Sequence, residues 1–147
     1  PAPDKLKVSV AYRDGFMSSG MLAIYGKNAA AKARKAGQVL LDRLQRAGCR
    51  YARSHIETIG SGSVVPLHAP GTQDYLEQAE EVMLRVSVHD PNKAVVERFT
   101  KEFAPLVTAG PPGTTGYTTG RPSVREVFAY WPTLIDRTAV QAELHWE

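Results

Sequence analysis

An arginine and a carboxylate stand side by side at Arg13 and Asp14, within the run Tyr12-Arg13-Asp14-Gly15-Phe16. An arginine at a strand end can hold an anionic substrate through paired hydrogen bonds, and a neighbouring carboxylate can move a proton. We therefore take Asp14 as a candidate catalytic residue and Arg13 as a candidate ligand-binding residue. The plainer alternative is a turn in which Asp14 and Gly15 end the preceding strand and Arg13 faces solvent.

A second candidate site lies in the glycine- and proline-rich run GPPGTTGYTTGRP, between positions 110 and 122. A long irregular loop in a compact domain is usually functional or disordered. Its backbone N–H groups and hydroxyls could cradle a phosphate or a carboxylate, although it lacks the spacing and the lysine of a nucleotide-binding P-loop. The candidate ligand-binding residues here are Gly110, Gly113, Thr114, Thr115 and Arg121. A flexible connection, or a loop that docks onto another chain, is an equal alternative.

Other chemistries find less support in the sequence. The four histidines are scattered and no pair has helical i, i+4 spacing, so no metal site is predicted. The run Gly60-Ser61-Gly62-Ser63 resembles the nucleophile elbow of serine hydrolases only in part, because its second glycine is misplaced. His89 and Asp90 could form an acid–base pair, but Asp90 is better explained as the cap of a helix.

The composition is that of one ordinary domain. The chain has 147 residues, 43% of them hydrophobic and 22% charged, which is enough to bury a single core. Its net charge is +3, but no aromatic residues interleave with the first basic cluster, so a solvated helix face is favoured over a nucleic-acid site. A single cysteine, Cys49, gives no argument for secretion, and no apolar run is long enough to span a membrane. The start at Pro1, without a methionine, is compatible with a fragment.

Alternating and helical patterns predict the elements of the first third of the chain. Lys5–Tyr12 alternates as a half-buried strand that the turn at Arg13–Gly15 ends, and Met21–Tyr25 could add a short strand. A helix is then expected after Asn28, which can cap it, with an apolar stripe at three- and four-residue steps. Gly48 stands where a left-handed stop is expected.

The remaining pattern predicts four more strands and a second helix. The strands are expected at Tyr51–Ile59, Val82–Val88, Val124–Tyr130 and Val140–Trp146. Gly60–Thr72 is expected to be a loop. The second helix is predicted to begin at Asp90 as its cap, with Pro91 in the first helical position and Pro105 tightening or ending the last turn.

The resulting order, leaving out the short Met21–Tyr25 strand and the terminal one, is β-α-β-β-α-β. This is the split β-α-β, ferredoxin-like plan, an α+β fold in which an antiparallel sheet carries two helices on one face. Val140–Trp146 would add an extra terminal strand. We predict a single domain over residues 1–147.

Three long segments together resemble the C-terminal part of AtuA-like proteins, the acyclic terpene utilisation family. They are YRDGFMSSGMLAIYGKNAAAKA at 12–33, LRVSVHDPNKAVVERFTKEFAPLVTAGPPG at 84–113 and RPSVREVFAYWPTLIDR at 121–137. The resemblance implies cytoplasmic metabolism of branched acyl groups as coenzyme A thioesters, as in the degradation of citronellol-like terpenes. It also implies a larger α/β region before the matched part, so the chain is expected to be a C-terminal portion. It supplies no cofactor and no catalytic residue.

The first functional hypothesis is an enzyme component in the catabolism of acyclic terpene or other branched acyl-CoA compounds. Arg13 and Arg121 would hold anionic groups of an acyl-CoA ligand, Asp14 would transfer the proton, and the loop at 110–120 would close over the ligand.

The second hypothesis is a non-catalytic docking module for the N-terminal region or for a partner subunit. Trp131-Pro132 and the tail at 140–146 would then lie in the interface. Under both hypotheses we expect a homo-oligomer, with neither nucleic acid nor a membrane as partner.

Overall fold

The computed structural model describes residues 2–63, 78–116 and 120–146 of an α+β protein, which confirms the predicted class. The elements in chain order are β1 (Lys5–Tyr25), α1 (Ala29–Arg46), β2 (Arg53–Ile59), β3 (Glu81–Asp90), α2 (Lys93–Phe99), α3 (Phe103–Ala109), β4 (Thr114–Gly116), β5 (Val124–Asp136) and a 3-10 turn at Arg137–Ala139. The strands form one sheet in the order β2-β3-β1-β4, and β5 also pairs with β1. The pairs β2–β3, β1–β3 and β1–β4 are antiparallel.

The chain divides into two compact units. The main unit is Gly15–Glu126, and the terminal unit joins Pro1–Asp14 to Val127–Glu147. In the terminal unit the Ser9 and Tyr130 hydroxyls lie 3.0 Å apart, and the Arg137 N–H donates to the Asp4 carbonyl. None of the described residues of the terminal unit is buried, so the hydrophobic core lies in the main unit.

Period-two alternation in β3 explains its central place in the sheet. Val82, Leu84, Val86 and Val88 are buried on one face, where they meet the apolar stripes of the helices. Helix α1 approaches this face closely at Gly37, where a β-carbon would lie 2.8 Å from the Ile56 side chain. The predicted helical stripes therefore form one core on one face of the sheet.

The ends of α1 are largely as predicted. The helix follows Asn28, but this residue has a φ of 60° and its side chain makes no capping hydrogen bond. At the other end Gly48 has a φ of +81°, and the N–H groups of Gly48 and Cys49 donate to the carbonyls of Gln45 and Leu44. The glycine stop is thus confirmed as a left-handed C-terminal cap.

The turn predicted at Arg13–Gly15 is wrong, because β1 continues through it to Tyr25. Gly15 has a φ of +86°, and Phe16 immediately resumes pairing opposite Asp90. A glycine with a positive φ inside a strand permits a local kink without ending the strand. The separate strand expected at Met21–Tyr25 is the buried end of the same element.

The second predicted helix is two helices, and its cap is Asn92 rather than Asp90. The Asn92 side chain accepts a hydrogen bond from the Ala94 N–H, whereas the Asp90 carboxylate accepts from the N–H groups of Ala52 and Asn92. Pro105 does not end a helix; it lies in the first turn of α3, where its missing N–H has no helical partner to lose.

Two predictions for the last third of the chain also need correction. The loop expected at 110–120 contains the short strand β4, which pairs with Leu22–Ile24 of β1. The terminal strand expected at Val140–Trp146 is absent: residues 140–146 have no regular structure and are exposed. Alternation alone was misleading there because no described strand offers it a ladder. Most of the loop expected at Gly60–Thr72 lies outside the described residues.

Candidate functional site

A cleft of about 390 Å³ opens beside α3 in the main unit, and we call it the Arg121 cleft. Ten residues line it: Met21, Leu22, Thr100, Phe103, Ala104, Val107, Gly116, Gly120, Arg121 and Pro122. Most of these side chains are apolar, and Arg121 supplies the only charge among them. The volume falls in the range of pockets that hold small molecules, about 300–1,000 Å³. The cleft is therefore suited to an apolar group with one anionic end.

The cleft owes its inner wall to a close packing of α3 on β1. A β-carbon on Gly20 would overlap the ring of Phe103, so only glycine lets the ring lie against the strand. The Phe103 ring also packs edge-on against Phe99, with centroids 5.1 Å apart. Leu22 and Phe103 are consequently buried, while Val107 at the rim is 42% exposed.

A buried carboxylate fixes the corner between α2 and α3. Glu102 is 4% exposed and forms ion pairs with Arg43 of α1, at 3.2 Å, and with Arg98 of α2, at 2.5 Å. Two guanidinium partners offset the cost of burying the charge. This corner carries Thr100 on one side and Phe103 on the other, so the ion pairs hold the cleft wall in place.

Arg121 carries the charge of the cleft without a partner in the described part of the chain. It follows Gly120, which has a φ of +79°, and its side chain is exposed. The nearby Thr100 hydroxyl donates to the Glu97 carbonyl at 2.8 Å. The guanidinium of Arg121 is therefore the group best able to bind an anion at this cleft.

A smaller cavity of about 270 Å³ lies between α1 and the end of α3, and Gly110 lines it together with Lys32 and Lys35. The Lys32 ammonium donates to the carbonyls of Tyr25 and Pro112, at 2.7 and 2.8 Å. Lys32 thus ties α1 to the proline-rich segment. The sequence predicts Gly110 and Arg121 in one site, but in the structure they line different cavities.

The other candidate residues of the glycine-rich run lie where β4 pairs with β1. A β-carbon on Gly113, which has a φ of +88°, would collide with the Tyr25 carbonyl. Thr114 and Thr115 pair with Ile24 and Ala23 in the ladder of β4 with β1. The Thr114 hydroxyl also donates to the Pro111 carbonyl at 2.7 Å. These residues hold the run against β1, and their proposed contact with a ligand stays a prediction.

Arg13 and Asp14 lie in the part of β1 that belongs to the terminal unit. Arg13 is exposed and Asp14 is half-buried, and both interact with other residues. Neither lines the clefts described above. Their catalytic and ligand-binding roles stay predictions.

The residues that sequence reasoning missed are those that only tertiary packing brings together. Thr100, Val107 and Met21 come from α2–α3 and from β1, and no spacing along the chain links them to Arg121. One feature of the sequence could have indicated this cleft: Val107 is an apolar residue on the exposed side of α3.

Two further findings bear on the kind of site. Among residues 2–63, 78–116 and 120–146, the acidic, histidine and cysteine side chains form no cluster of three or more suited to a metal ion. Within those same ranges, no helix is long and apolar enough to cross a membrane.

The fold is that of an α+β protein, and the main unit carries a small, mainly apolar cleft. The family model for acyclic terpene utilisation family protein AtuA matches residues 1–146. The chain therefore belongs to the acyclic terpene utilisation family. No curated protein shows significant sequence similarity to it.

A solved structure of an amidase of the hydantoinase/carbamoylase family, from Burkholderia vietnamiensis, is similar at 11% identity with a TM-score of 0.41. The match covers 87% of this chain and 30% of the amidase chain. The chain thus spans less than a third of the amidase's length, and a likeness this loose indicates neither its fold nor its activity.

Proposed function

We propose that the chain takes part in the cytoplasmic catabolism of acyclic terpenes or other branched acyl-CoA compounds, and that the Arg121 cleft holds the branched acyl group. The observation that carries this proposal is an apolar cleft of about 390 Å³ with one exposed guanidinium at its rim. Membership of the acyclic terpene utilisation family supports the substrate class.

The chemistry of the cleft favours an apolar chain with an anionic or strongly polar end. Burial of apolar area contributes about 25 cal/mol per Å², so the walls made by Met21, Phe103 and Val107 favour hydrocarbon over water. Arg121 can donate paired hydrogen bonds to a carboxylate or a phosphate oxygen. The cleft is too small for a whole coenzyme A, so the acyl part would enter and the phosphates would stay outside.

Binding is the direct test of this function. Citronellyl-CoA titrated into the protein by calorimetry should bind more tightly than coenzyme A alone, because only the thioester adds apolar area to bury. A straight-chain acyl-CoA of matched length serves as the control for branching. Equal affinity for citronellyl-CoA and coenzyme A would contradict an acyl site.

As a separate part of the proposal, resting on residue chemistry alone, Asp14 transfers a proton and Arg13 holds an anionic group, and neither residue lines the Arg121 cleft. Asp14→Asn in the full-length protein should abolish turnover while the protein still folds, because the amide keeps the shape of the carboxylate without its basicity. A fully active variant would end this assignment. Gly110, Gly113, Thr114 and Thr115 remain candidate contacts for the ligand.

We further propose that the main unit is a ferredoxin-like domain. The strand order β2-β3-β1-β4 with antiparallel neighbours supports this, as do the helices on one face of the sheet. The 3-10 turn and the irregular tail would then be additions to that plan.

The second candidate function is a docking module for an N-terminal region or a partner subunit. The observation that favours it is the terminal unit, which has no buried described residue and exposes Phe128, Trp131 and Leu134 at 61–63%. A strand pair with so much apolar surface is usually covered by a partner. Deletion of residues 139–147 should then change the mass measured by size-exclusion chromatography with light scattering. An unchanged mass would count against this function.

A further inference from the structure

Strand β2 forms one edge of the sheet and is a seven-residue strand, Arg53–Ile59. In the described ranges it pairs with β3 alone. An edge strand presents a row of unpaired N–H and C=O groups that can pair with a strand of another chain. The residues of β2 therefore determine which strand it can accept.

The residues of β2 are arranged symmetrically about Ile56. His55 and Glu57 flank it on the sheet face that carries no helix, and Ser54 and Thr58 flank it on the helix face. In an antiparallel pair of two β2 strands centred on Ile56, each His55 lies opposite a Glu57. Two small hydroxyl residues, Ser54 and Thr58, also face each other. The strand is thus complementary to itself in size, and it places an imidazole opposite a carboxylate that can accept a hydrogen bond from it.

We propose that β2 pairs with β2 of a second copy of this chain across a two-fold axis at Ile56, which joins two sheets into one. Such an interface is isologous, as in most homodimers. Charged residues on an edge usually discourage pairing. A register centred on Glu57 would place the two Glu57 carboxylates opposite each other, and one centred on His55 would place the two His55 rings opposite each other while pairing Arg53 with Glu57. The register centred on Ile56 places no two like ionisable groups opposite each other.

Neighbouring contacts extend this charge pattern. Glu57 is held by Arg85 of β3 through two hydrogen bonds, at 2.5 and 2.8 Å. In the pair, the partner's His55 would lie on the other side of the Glu57 carboxylate, so each carboxylate would stand between two donors. Cross-strand pairs of opposite charge stabilise a sheet, whereas like charges opposite each other destabilise it.

The Ser61 N–H and the Ser63 hydroxyl donate to the Thr58 carbonyl at the end of β2, so a partner strand has to pair around the middle of the strand. Two open clefts border the edge: one of about 300 Å³ beside Arg34 and Ser61, and one of about 350 Å³ beside Leu41 and Ser54. Helix α1 supplies Leu41 and Gln45 next to the edge, so α1 of the two copies would lie side by side. The pairing would hold whether or not the Arg121 cleft binds an acyl group.

Cysteine cross-linking in the full chain tests the register. Directly opposed residues have Cα atoms about 4.5–5.5 Å apart, within the span of a disulfide. In a Cys49→Ser background, Ile56→Cys should therefore form a covalent dimer on mild oxidation. Ser54→Cys should not, because its two copies would lie about 13 Å apart along the strands. Equal cross-linking of the two variants would overturn the register.

Two variants of opposite charge at His55 provide a second test that leaves Ile56 unchanged. His55 is exposed, so neither His55→Lys nor His55→Glu should disturb folding. Sedimentation equilibrium should give a dimer for the wild type and for His55→Lys, and a dissociation constant at least tenfold weaker for His55→Glu, which faces Glu57. A monomeric wild type, or equal constants for the two variants, would overturn the proposal.

Discussion

The ring of Phe103 lies directly against Gly20, so that a β-carbon at Gly20 would overlap the ring. This contact joins α3 to β1 where both border the Arg121 cleft. The backbone of β1 thus lies directly against the Phe103 ring, which forms one side of the cleft. Small changes at this contact should therefore affect both the stability of the main unit and the shape of the cleft.

Gly20→Ala should lower the free energy of unfolding by about 1–3 kcal/mol, the usual effect of overpacking a core. Chemical denaturation followed by circular dichroism measures it. In a Phe103→Leu background the same substitution should cost less, because the smaller side chain leaves room for the methyl group. Additive effects of the two substitutions would show that the contact does not limit packing at Gly20.

Lys32→Met should destabilise the protein by about 1–2 kcal/mol, because the Tyr25 and Pro112 carbonyls lose a charged donor. Lys35→Met is the matched control, since Lys35 lines the same cavity but is exposed and forms no hydrogen bond among the described residues. Urea unfolding curves of both variants measure the difference. Equal stabilities would mean that the Lys32 contacts contribute nothing net.

Lowering the pH should remove the stabilisation that the Glu57–Arg85 ion pair provides. The hydrogen bond from Arg85 holds the pKa of Glu57 below its ordinary value of 4.5. Because the pKa of Glu57 is lower in the folded state than in the unfolded state, ionised Glu57 stabilises the folded protein at pH values above the unfolded-state pKa. This stabilisation is lost as the pH falls through the folded-state pKa. The stability gap between the wild type and Glu57→Gln should therefore shrink as pH falls below about 4.5. Unfolding curves across a pH series test this, and a constant gap would contradict it.

Much of the fold can be predicted from local sequence patterns, because tertiary contacts do not change the elements that these patterns predict. The alternation from Val82 to Val88 predicts β3 correctly, because the apolar side chains at every second position are the ones that the structure buries on one face of the sheet. Gly48 identifies the end of α1 because a left-handed cap is a local requirement. Local signals were misleading where a neighbouring strand decided the outcome. Asp14 and Gly15 have the composition of a turn, but pairing with β3 keeps β1 extended beyond them.

The candidate site was less accessible to sequence reasoning. The charge of Arg121 and its glycine-rich surroundings predict a ligand-binding residue, and Arg121 lines the cleft of about 390 Å³. Gly110 and Thr114 lie close to it in sequence, but one lines a different cavity and the other pairs with β1. The apolar wall comes from Met21 and α3, whose approach depends on Gly20 and on the ion pairs of Glu102.

The most direct test of the account is calorimetric titration of citronellyl-CoA into the wild type, Arg121→Met and Arg125→Met. Arg125 is the matched control, since it is exposed and lies outside the lining of the cleft. A charged hydrogen bond contributes about 1.5–3 kcal/mol, so Arg121→Met should weaken binding roughly 10- to 100-fold, whereas Arg125→Met should leave it unchanged. Equal affinity of all three proteins, or no binding by the wild type, would contradict an acyl site at the Arg121 cleft.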